Sequence, residues 1–565
     1  MKEYIVTCKN FEDLQSLYDD METPGGNLYI PDRAVELVQR RNISRNTHYM
    51  LTEAEANEVS QDSRVLACEL NPLDQGIEFV PHWTQTGDFE KTTGTLETDD
   101  KNWGLYRMIK GDSVSNWGSD STTEISNQTI NTTSSGKNVD VIIADSHVNP
   151  DHPEFAVNPD GTGGSRVNQF NWYQYSSALG YSGTPTTYTY STSGASPNEN
   201  HGTHVAGTAC GNTQGWARDA NIYNINFSSG GSGYGGNSWA QYLWDYVRYF
   251  HKNKPINTST GRRNPTVMNN SWGSSYSTLS VSLFDGVNYR GTFTDMSSMS
   301  TSQKKTTLEA NGHPVASGTS MYRPPARNAA IDADLQDAIN DGVIVIASAG
   351  NSYWNCELSS GPDYNNYLTY NSGLSSIYFT RGSSPGSADN VICVGSIGSK
   401  VAEYKSDFSN WGNRVDIWAP GSDIISAVYD QSSASTESFG AYLPLVEDPR
   451  SSSYHLASIS GTSMSGPQVA GIVACLAEQE PNLTQAEALQ HLIENSLPEI
   501  STQGLPEQSP YEGFGDSSNR YAFIPKKRPD SGMASPAQLH KNRNTENPTN
   551  TTGVKYPRVR IQVTS

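Results

Sequence analysis

The sequence predicts an α/β protein, a doubly wound and mainly parallel sheet preceded by a small α+β unit. Two runs, "VDVIIAD" ending at Asp145 and "GVIVIASAGN" ending at Asn351, are too continuously apolar for half-exposed strands. They fit strands of a parallel sheet buried on both faces. Helical patterns such as "AAIDADLQDAIND" and "LTQAEALQHLIENSL" lie between or beyond them, and this alternation argues for a doubly wound sheet up to about residue 500. The opening part of the chain, by contrast, alternates short strand and helix signals.

Taken in order, "EYIVTC" is a short strand, and "NFEDLQSLYDDM" follows with Phe11, Leu14, Leu17, Tyr18 and Met21 at helical spacing. Asn10 stands where an N-cap belongs. "THYML" reads as a second strand, Thr52-Glu53-Ala54-Glu55 as a capping box opening a helix, and "SRVLACEL" as a closing strand. Residues 80–102 are polar and threonine-rich, as a linker is. The expected division is therefore 1–79, linker 80–102, a main domain 103–500 and a polar, partly basic tail 501–565. The stretches 227–240, 274–325 and 428–455 are long and polar, and are expected as loops that decorate the core and shape a cleft. From Lys526 onward eight Lys or Arg face two acids among scattered Pro, Asn and Thr, which reads as a solvated tail.

A length of 565 residues accommodates one large domain with attachments. The net charge of −21 argues against a nucleic-acid partner. No run is long enough to span a bilayer. The start, "MKEYIVTCKNFEDL", lacks the apolar stretch of a secretory signal, which sets the expectation of a cytoplasmic or particle-associated protein made without export. The six cysteines form no CxxC pair; Cys393 and Cys475 lie in apolar runs and are expected as buried thiols.

The chemistry gathers at four places. "ISGTSMSGPQVAG", Ile459 to Gly471, sets Ser463 at the mouth of a small-residue helix, where unpaired N–H groups and the helix dipole favour developing negative charge. Pro467 is expected in or near the first turn, where its missing donor does least harm. Taken alone, Ser463 is more simply a capping serine. "NENHGTHVAGTACG" gives His201 at the start of another small-residue helix. Asp145 and Asn351 end apolar strands, where parallel sheets carry their sites. A serine nucleophile needs a base, the base needs a carboxylate partner, and the oxyanion needs donors. Each residue alone has a bland explanation as a turn carboxylate, a satisfied histidine or a loop amide; jointly they fill all four roles.

These segments carry a resemblance. With "HGTHVAG", "GTSMSGPQVAG" and "ASAGN", and more weakly with "NNSWG" and "FSNWGNRVDIWAPG", the chain resembles the subtilisin-like serine peptidases over most of residues 103–500. The resemblance implies a subtilisin-like fold and an endopeptidase working through an acyl-enzyme. It makes Ser463 the nucleophile, His201 the general base and acid, Asp145 its orienting partner, and Asn351 with the Ser463 N–H the oxyanion hole. Ser271, Trp272 and Gly273 would pair with an extended polypeptide substrate, with Ser348, Ala349 and Gly350 as a second wall. His204 would be structural, and His152 belongs to a turn. One departure stands out: Asp145-Ser146-His147 replaces the family's Asp-Thr-Gly, keeping the hydroxyl but adding an imidazole.

Residues 1–79 likewise resemble the family's propeptide, carried by "THYMLTEAEANEVSQDSRVLACELNP", and imply an intramolecular inhibitor removed by self-cleavage. A nucleophile-elbow esterase is disfavoured, because Ser465 stands where that motif needs Gly and the order of the three groups is wrong. An inactive binding protein that kept the fold is the alternative. Trp272 suggests an apolar wall on the acyl side of the cleft, and the acidic chain a weak preference for basic substrates. The pocket floor lies in "NSYWNCELSSGPDYNNYLTYNSG", whose alignment stays open. No cofactor is required for the chemistry; structural Ca²⁺ is common in the family but no ligand set carries over. A monomer is expected.

Overall fold

The computed structural model describes residues 1–29, 36–40, 44–71, 77–81, 101–110, 134–181, 187–190, 197–226, 239–313, 321–370, 375–399, 404–428, 445–498, 500 and 517–523. The N-terminal unit runs β1 (Lys2–Cys8), α1 (Leu14–Glu22), β2 (Glu36–Arg40), β3 (Asn46–Leu51), α2 (Glu53–Ser60) and β4 (Val65–Leu70). Its antiparallel sheet has the order β2-β3-β1-β4. Leu17, Met21, Ala56 and Val59 of the two helices bury against Tyr4, Val6, Tyr49 and Leu51 of the sheet, a small core of its own. The Thr52–Glu55 capping box forms in full. Asn10 differs from expectation: a 3₁₀ turn, Phe11–Asp13, intervenes before α1, and the Asn10 amide donates to Asp13 instead of accepting from the helix. Phe11 accordingly lies exposed.

The strand β5 (Ile77–Pro81) follows. The linker residues 82–100 lie outside the described residues. The chain resumes at α3 (Trp103–Lys110), tied to the main domain by the Asn102 N–H on Gln214 Oε1 (2.6 Å) and the Trp103 indole N–H on the Ser422 carbonyl (2.9 Å).

Next come β6 (Asp140–Asp145), β7 (Val167–Asn168), α4 (Pro197–Cys210), β8 (Asn221–Asn226), α5 (Trp239–Asn253), β9 (Thr266–Asn270) and β10 (Trp272–Tyr276). The 274–325 stretch is no loop. It folds as β11 (Leu279–Ser280), β12 (Phe284–Tyr289), β13 (Thr292–Asp295), α6 (Thr301–Ala310) and β14 (Met321–Tyr322). Beyond it lie α7 (Ala329–Asn340), β15 (Val343–Ser348), β16 (Tyr367–Tyr370), β17 (Ser375–Ile377), β18 (Ile392–Ile397), β19 (Ile417–Pro420), β20 (Ile424–Val428), β21 (Leu445–Asp448), β22 (Ser451–Ile459), α8 (Thr462–Gln479) and α9 (Gln485–Glu494).

Seven strands form one parallel sheet in the order β19-β18-β15-β9-β6-β8-β7. Every residue of β6, β9, β15 and β18 is buried, as apolar runs covered on both faces must be. The helices α4 and α8 pack on each other, α8 lying across β9, β15, β18 and β19, while α5 and α7 pair together. The chain starts the sheet at β6, runs to the edge strand β7, returns to β8 beside β6, and then crosses to β9 and on outward through β15, β18 and β19, so the topological switch lies between β6 and β9. The insertion joins its β13-β12 pair to β16-β17 as a second sheet. Its core of Val281, Phe284, Val287, Met296, Leu308, Trp354, Leu368 and Phe379 holds it together and absorbs much of the stretch expected as pocket floor.

One further expectation changes. Part of the 501–565 stretch belongs to the core: Tyr521 and Ala522 are buried, Trp418 N–H donates to Arg520 O, and Ala522 N–H donates to Trp418 O. The Arg107 guanidinium lies 4.4 Å from the Tyr521 ring centre. Residues 501–516, 524–565, 227–238 and 429–444 lie outside the described residues. All six cysteines are free thiols, five of them buried. No described helix is long and apolar enough to cross a membrane.

Candidate active site

The predicted site residues fall at the carboxyl ends of neighbouring strands and the heads of two helices. Asp145 is the last residue of β6. Its Oδ1 accepts from the Ser146 N–H (2.7 Å) and lies 2.7 Å from His201 Nδ1, with both side chains buried. A carboxylate accepts, so in this contact Nδ1 is the donor. His201 stands in the second turn of α4 rather than at its start, because the helix begins at Pro197.

The Asp145-Ser146-His147 turn is locked to that helix. Ser146 Oγ accepts the Gly202 N–H at 2.7 Å, Thr203 Oγ1 donates to the His147 carbonyl (3.3 Å), and Asn224 Nδ2 donates to the Ser146 carbonyl (2.9 Å). A Cβ on Gly202 would come 2.4 Å from the Ser146 oxygen, so only glycine allows this approach. The His147 imidazole is buried 5.6 Å (ring centres) from Tyr190, and burial pushes its pKa down to about 4. It is a neutral ring at physiological pH.

His204 sits one turn further along α4. Its Nε2 faces the Ile424 carbonyl at 3.0 Å and the Ala457 carbonyl at 3.1 Å, and burial lowers its pKa to about 3. That ring ties α4 to β20 and β22. His152 accepts the Glu154 N–H at Nδ1, and its Nε2 lies 2.9 Å from the His455 carbonyl. Both rings are held by backbone groups.

Ser463 is the second residue of α8, whose long run of small apolar residues lets it lie deep in the core. Its hydroxyl donates to the Ser271 carbonyl at 3.3 Å, while the Ser271 hydroxyl donates to the Ser463 carbonyl at 2.9 Å. The second bond has a cause in the sequence. Pro467 lies one full turn into α8, not in its first turn, and has no N–H for the carbonyl four residues earlier. That carbonyl belongs to Ser463, and Ser271 supplies the missing donor. Asn269 Nδ2 in turn donates to Ser271 Oγ at 3.0 Å.

Asn351 lies three residues beyond the end of β15, which stops at Ser348. Its Oδ1 accepts from both the N–H (2.8 Å) and the hydroxyl (2.7 Å) of Thr462. This fixes the amide so that Nδ2 is buried with no acceptor among the described residues. Thr462 Oγ1 also accepts the Gly350 N–H (3.1 Å). Sequence reasoning passed over Thr462, although it stands inside the quoted "GTS". It also gave no role to Asn410, which holds the loop after Ser348 by donating to the Ala349 carbonyl and accepting from Ser352 and Trp354.

Thus the structure brings together Asp145 with His201, Ser463 with Ser271, and Asn351 with Thr462 beside Ser463. The Gly471 backbone of α8 seats against Ala209 of α4, where an added Cβ would meet the Ala209 oxygen at 2.5 Å. Ser271, Trp272 and Gly273 enter β10, which pairs antiparallel with β5. The Trp272 side chain is buried in the main core, its indole N–H on Asn270 Oδ1 at 3.2 Å. Ser348, Ala349 and Gly350 are buried, and the Gly386 backbone approaches the Ser348 carbonyl so closely that a Cβ there would lie 2.3 Å from it. Among the described residues no group of three or more His, Cys, Asp or Glu side chains is disposed to hold a metal ion.

The N-terminal unit sits on α7. Ser44 Oγ donates to Asp334 (2.6 Å), Asn46 Nδ2 to Asp334 (2.9 Å) and to the Ala330 carbonyl (3.1 Å), and Arg45 pairs with Asp337 at 3.2 Å. Glu69 accepts the Ala329 N–H at the head of α7 (2.9 Å). His48 stacks near-parallel with Tyr242 of α5 at 5.9 Å.

The model of the Subtilase family matches residues 136–527. The chain is 32% identical over 166 residues to Subtilisin-like protease 2 of Pseudogymnoascus destructans, covering 29% of this chain and 30% of that protein. It is 32% identical over 189 residues to Subtilisin-like protease 10 of Arthroderma otae, covering 33% and 35%. With Alkaline protease 1 of Emericella nidulans it shares 25% over 377 residues, covering 66% and 59%. The chain therefore spans between 30% and 59% of the length of these curated relatives.

Proposed function

Because the chain belongs to the subtilase family, we propose that it is a serine endopeptidase, made as a self-inhibited zymogen that processes itself. The observation that carries the reading is the amide of Asn351, pinned through Oδ1 by Thr462 with Nδ2 left to donate, beside a serine at the head of an 18-residue helix. In this reading Ser463 Oγ attacks a peptide carbonyl while His201 Nε2 takes its proton. Asp145 holds the imidazole by Nδ1 and stabilises the imidazolium. Asn351 Nδ2 and the Ser463 N–H receive the oxyanion, assisted by the helix dipole. His201 then protonates the leaving amine, and water reverses the sequence to free the acid.

The substrate is a polypeptide lying as an added strand along β10 at Ser271, Trp272 and Gly273, with Ser348, Ala349 and Gly350 opposite. The pairing of β5 with β10 supports an inhibitory role for residues 1–79, since it places the chain's own strand on that edge. The buried polar contacts of Ser44 and Asn46 with α7, and the half-buried one of Glu69, support the same role, as they dock the unit on the main domain.

An active-site-directed phosphonate tests the reading. Covalent labelling of Ser463, absent in Ser463→Ala, is the expected outcome; a protein that stays unlabelled and cuts no polypeptide would be a binding protein on the same fold.

A further inference from the structure

The loop that carries Asn351 is held from two sides. Thr462 grips the Asn351 side chain, while the backbone around it is fastened to a turn, residues 404–411, that follows β18. The Asn410 N–H donates to the Gly350 carbonyl (2.8 Å). The Asn410 amide donates to the Ala349 carbonyl (2.8 Å) and accepts from the N–H groups of Ser352 (3.1 Å) and Trp354 (2.9 Å). The Phe408 carbonyl accepts the Tyr353 N–H (3.1 Å), and the Trp411 indole N–H donates to the Tyr353 carbonyl (3.0 Å). Residues 349, 350, 352, 353 and 354 are thus all tied to the turn, with Asn351 in their middle. The loop needs such a grip. Tyr353 has a φ of 59°, a left-handed conformation that a bulky residue keeps only where its surroundings impose it.

The turn itself closes around one side chain. Lys405 is 1% exposed, and its Nζ donates to the carbonyls of Ser406 (2.8 Å), Asp407 (3.4 Å) and Ser409 (3.1 Å). Carbonyls only accept, and an ammonium has three N–H groups to offer them. Three oxygens that converge on one buried point repel one another unless a positive charge sits among them. With the 406, 407 and 409 carbonyls drawn to Nζ, the Phe408 carbonyl between them is left to meet Tyr353. The base of the turn is anchored to the sheet: Lys405 bridges antiparallel to Ile397 of β18, and the Ser406 N–H donates to the Ser396 carbonyl (2.8 Å).

We propose that Lys405 is a positioning residue for the oxyanion donor Asn351. Its ammonium shapes the 406–409 turn, and the turn, through Phe408 and Asn410, sets the backbone on which the Asn351 amide stands. The inference rests on the endopeptidase reading and adds to it what holds the donor in place. Lys405 acts through the backbone, not on the reacting atoms. Without the ammonium the three carbonyls part, the turn loses its hold on Tyr353, and the amide shifts from where the oxyanion forms. That amide serves charge that develops in the transition state, so the cost falls on kcat.

The experiment is a double-mutant cycle on the purified protein, with kcat and KM for a peptide substrate expressed per Ser463 titrated by the phosphonate. Lys405→Met keeps the reach of the side chain and removes its charge. Asn410→Asp keeps the shape and the accepting oxygen but sets a second oxygen against the Ala349 carbonyl. Each should lower kcat about tenfold and leave KM within about twofold. In an Asn351→Ala background the same substitutions should lower kcat by less than about twofold, because the donor they position is gone. Full, additive losses in that background would overturn the inference and leave the endopeptidase reading standing. So would an unchanged kcat or a loss confined to KM. Two variants in which no Ser463 can be titrated would overturn it as well, since Lys405 and Asn410 would then serve the fold at large. A wild-type protein that the phosphonate does not label would overturn both the inference and the reading beneath it.

Discussion

Ser271 and Ser463 are joined twice: each hydroxyl donates to the other's carbonyl, at 2.9 and 3.3 Å. The hydroxyl and the backbone of Ser463 are thus both tied to the start of β10. Pro467 makes the first of these bonds necessary, by withholding the N–H that would otherwise serve the Ser463 carbonyl.

Ser271→Ala should therefore leave a buried carbonyl without its donor. The expected loss is about 1–3 kcal/mol. In a Ser463→Ala background, where autolysis cannot interfere, calorimetry should show a lower Tm for Ser271→Ala and partial recovery in Ser271→Ala/Pro467→Ala, which restores a helical donor. A double variant no better than the single one would show that Pro467 is not the cause.

Thr462→Val removes the hydroxyl that pins Asn351 Oδ1 and accepts the Gly350 N–H. Loss of one such bond corresponds to roughly a tenfold fall in kcat. KM should be nearly unchanged, because the amide acts on charge that develops in the transition state. Asn351→Ala should cost more, on the order of 10²–10³ in kcat, a magnitude known for this family. Steady-state kinetics on a peptide substrate separate the two, and a Thr462→Val effect confined to KM would refute the positioning role.

Gly202→Ala would force a methyl within 2.4 Å of the Ser146 carbonyl and 2.9 Å of the His147 carbonyl. Those atoms are backbone, so either the turn or the helix must shift, at about 1–3 kcal/mol. Activity should fall further than stability, because His201 is the adjoining residue. Equal Tm and equal kcat/KM in the variant would contradict this.

Docking of the N-terminal unit should depend on pH through Glu69. Burial lifts its carboxyl to about 7, Asp332 pushes the same way, and the Ala329 N–H and Arg327 oppose them. A group whose pKa is raised in the docked state contributes fully below its ordinary value, about 4.5, and loses that contribution as pH rises through about 7. Protection of residues 1–70 of the Ser463→Ala protein against hydrogen exchange should decline from pH 4.5 to 7. In Glu69→Gln that window should be flat; an unchanged decline would assign the effect to other groups, such as the His48–Glu3 pair.

How much of this was legible in the chain follows from the range of the forces involved. The runs "VDVIIAD" and "GVIVIASAGN" became the fully buried β6 and β15 because a continuous apolar stretch has no stable place except inside a two-sided sheet. The Thr52–Glu55 capping box closes within a single turn, so local sequence specified it. Asn10 failed as a cap because a 3₁₀ turn takes the chain first, and its amide finds Asp13 three residues on. The 274–325 stretch looked like loop because its apolar residues, Val281, Phe284, Val287 and Leu308, are sparse. They form a core only by meeting Trp354, Leu368 and Phe379 from a distant part of the chain.

The sequence by itself singled out Asp145, His201, Asn351 and Ser463, since each sits in a short local context that its neighbours impose. Only the tertiary structure decided how those contexts are oriented to one another. The Thr462 grip on Asn351, the Ser271 bonds to Ser463 and the register of β5 on β10 all join segments more than a hundred residues apart. Such contacts come from which strands become neighbours in the sheet, a property of the closed core that no stretch of local sequence encodes.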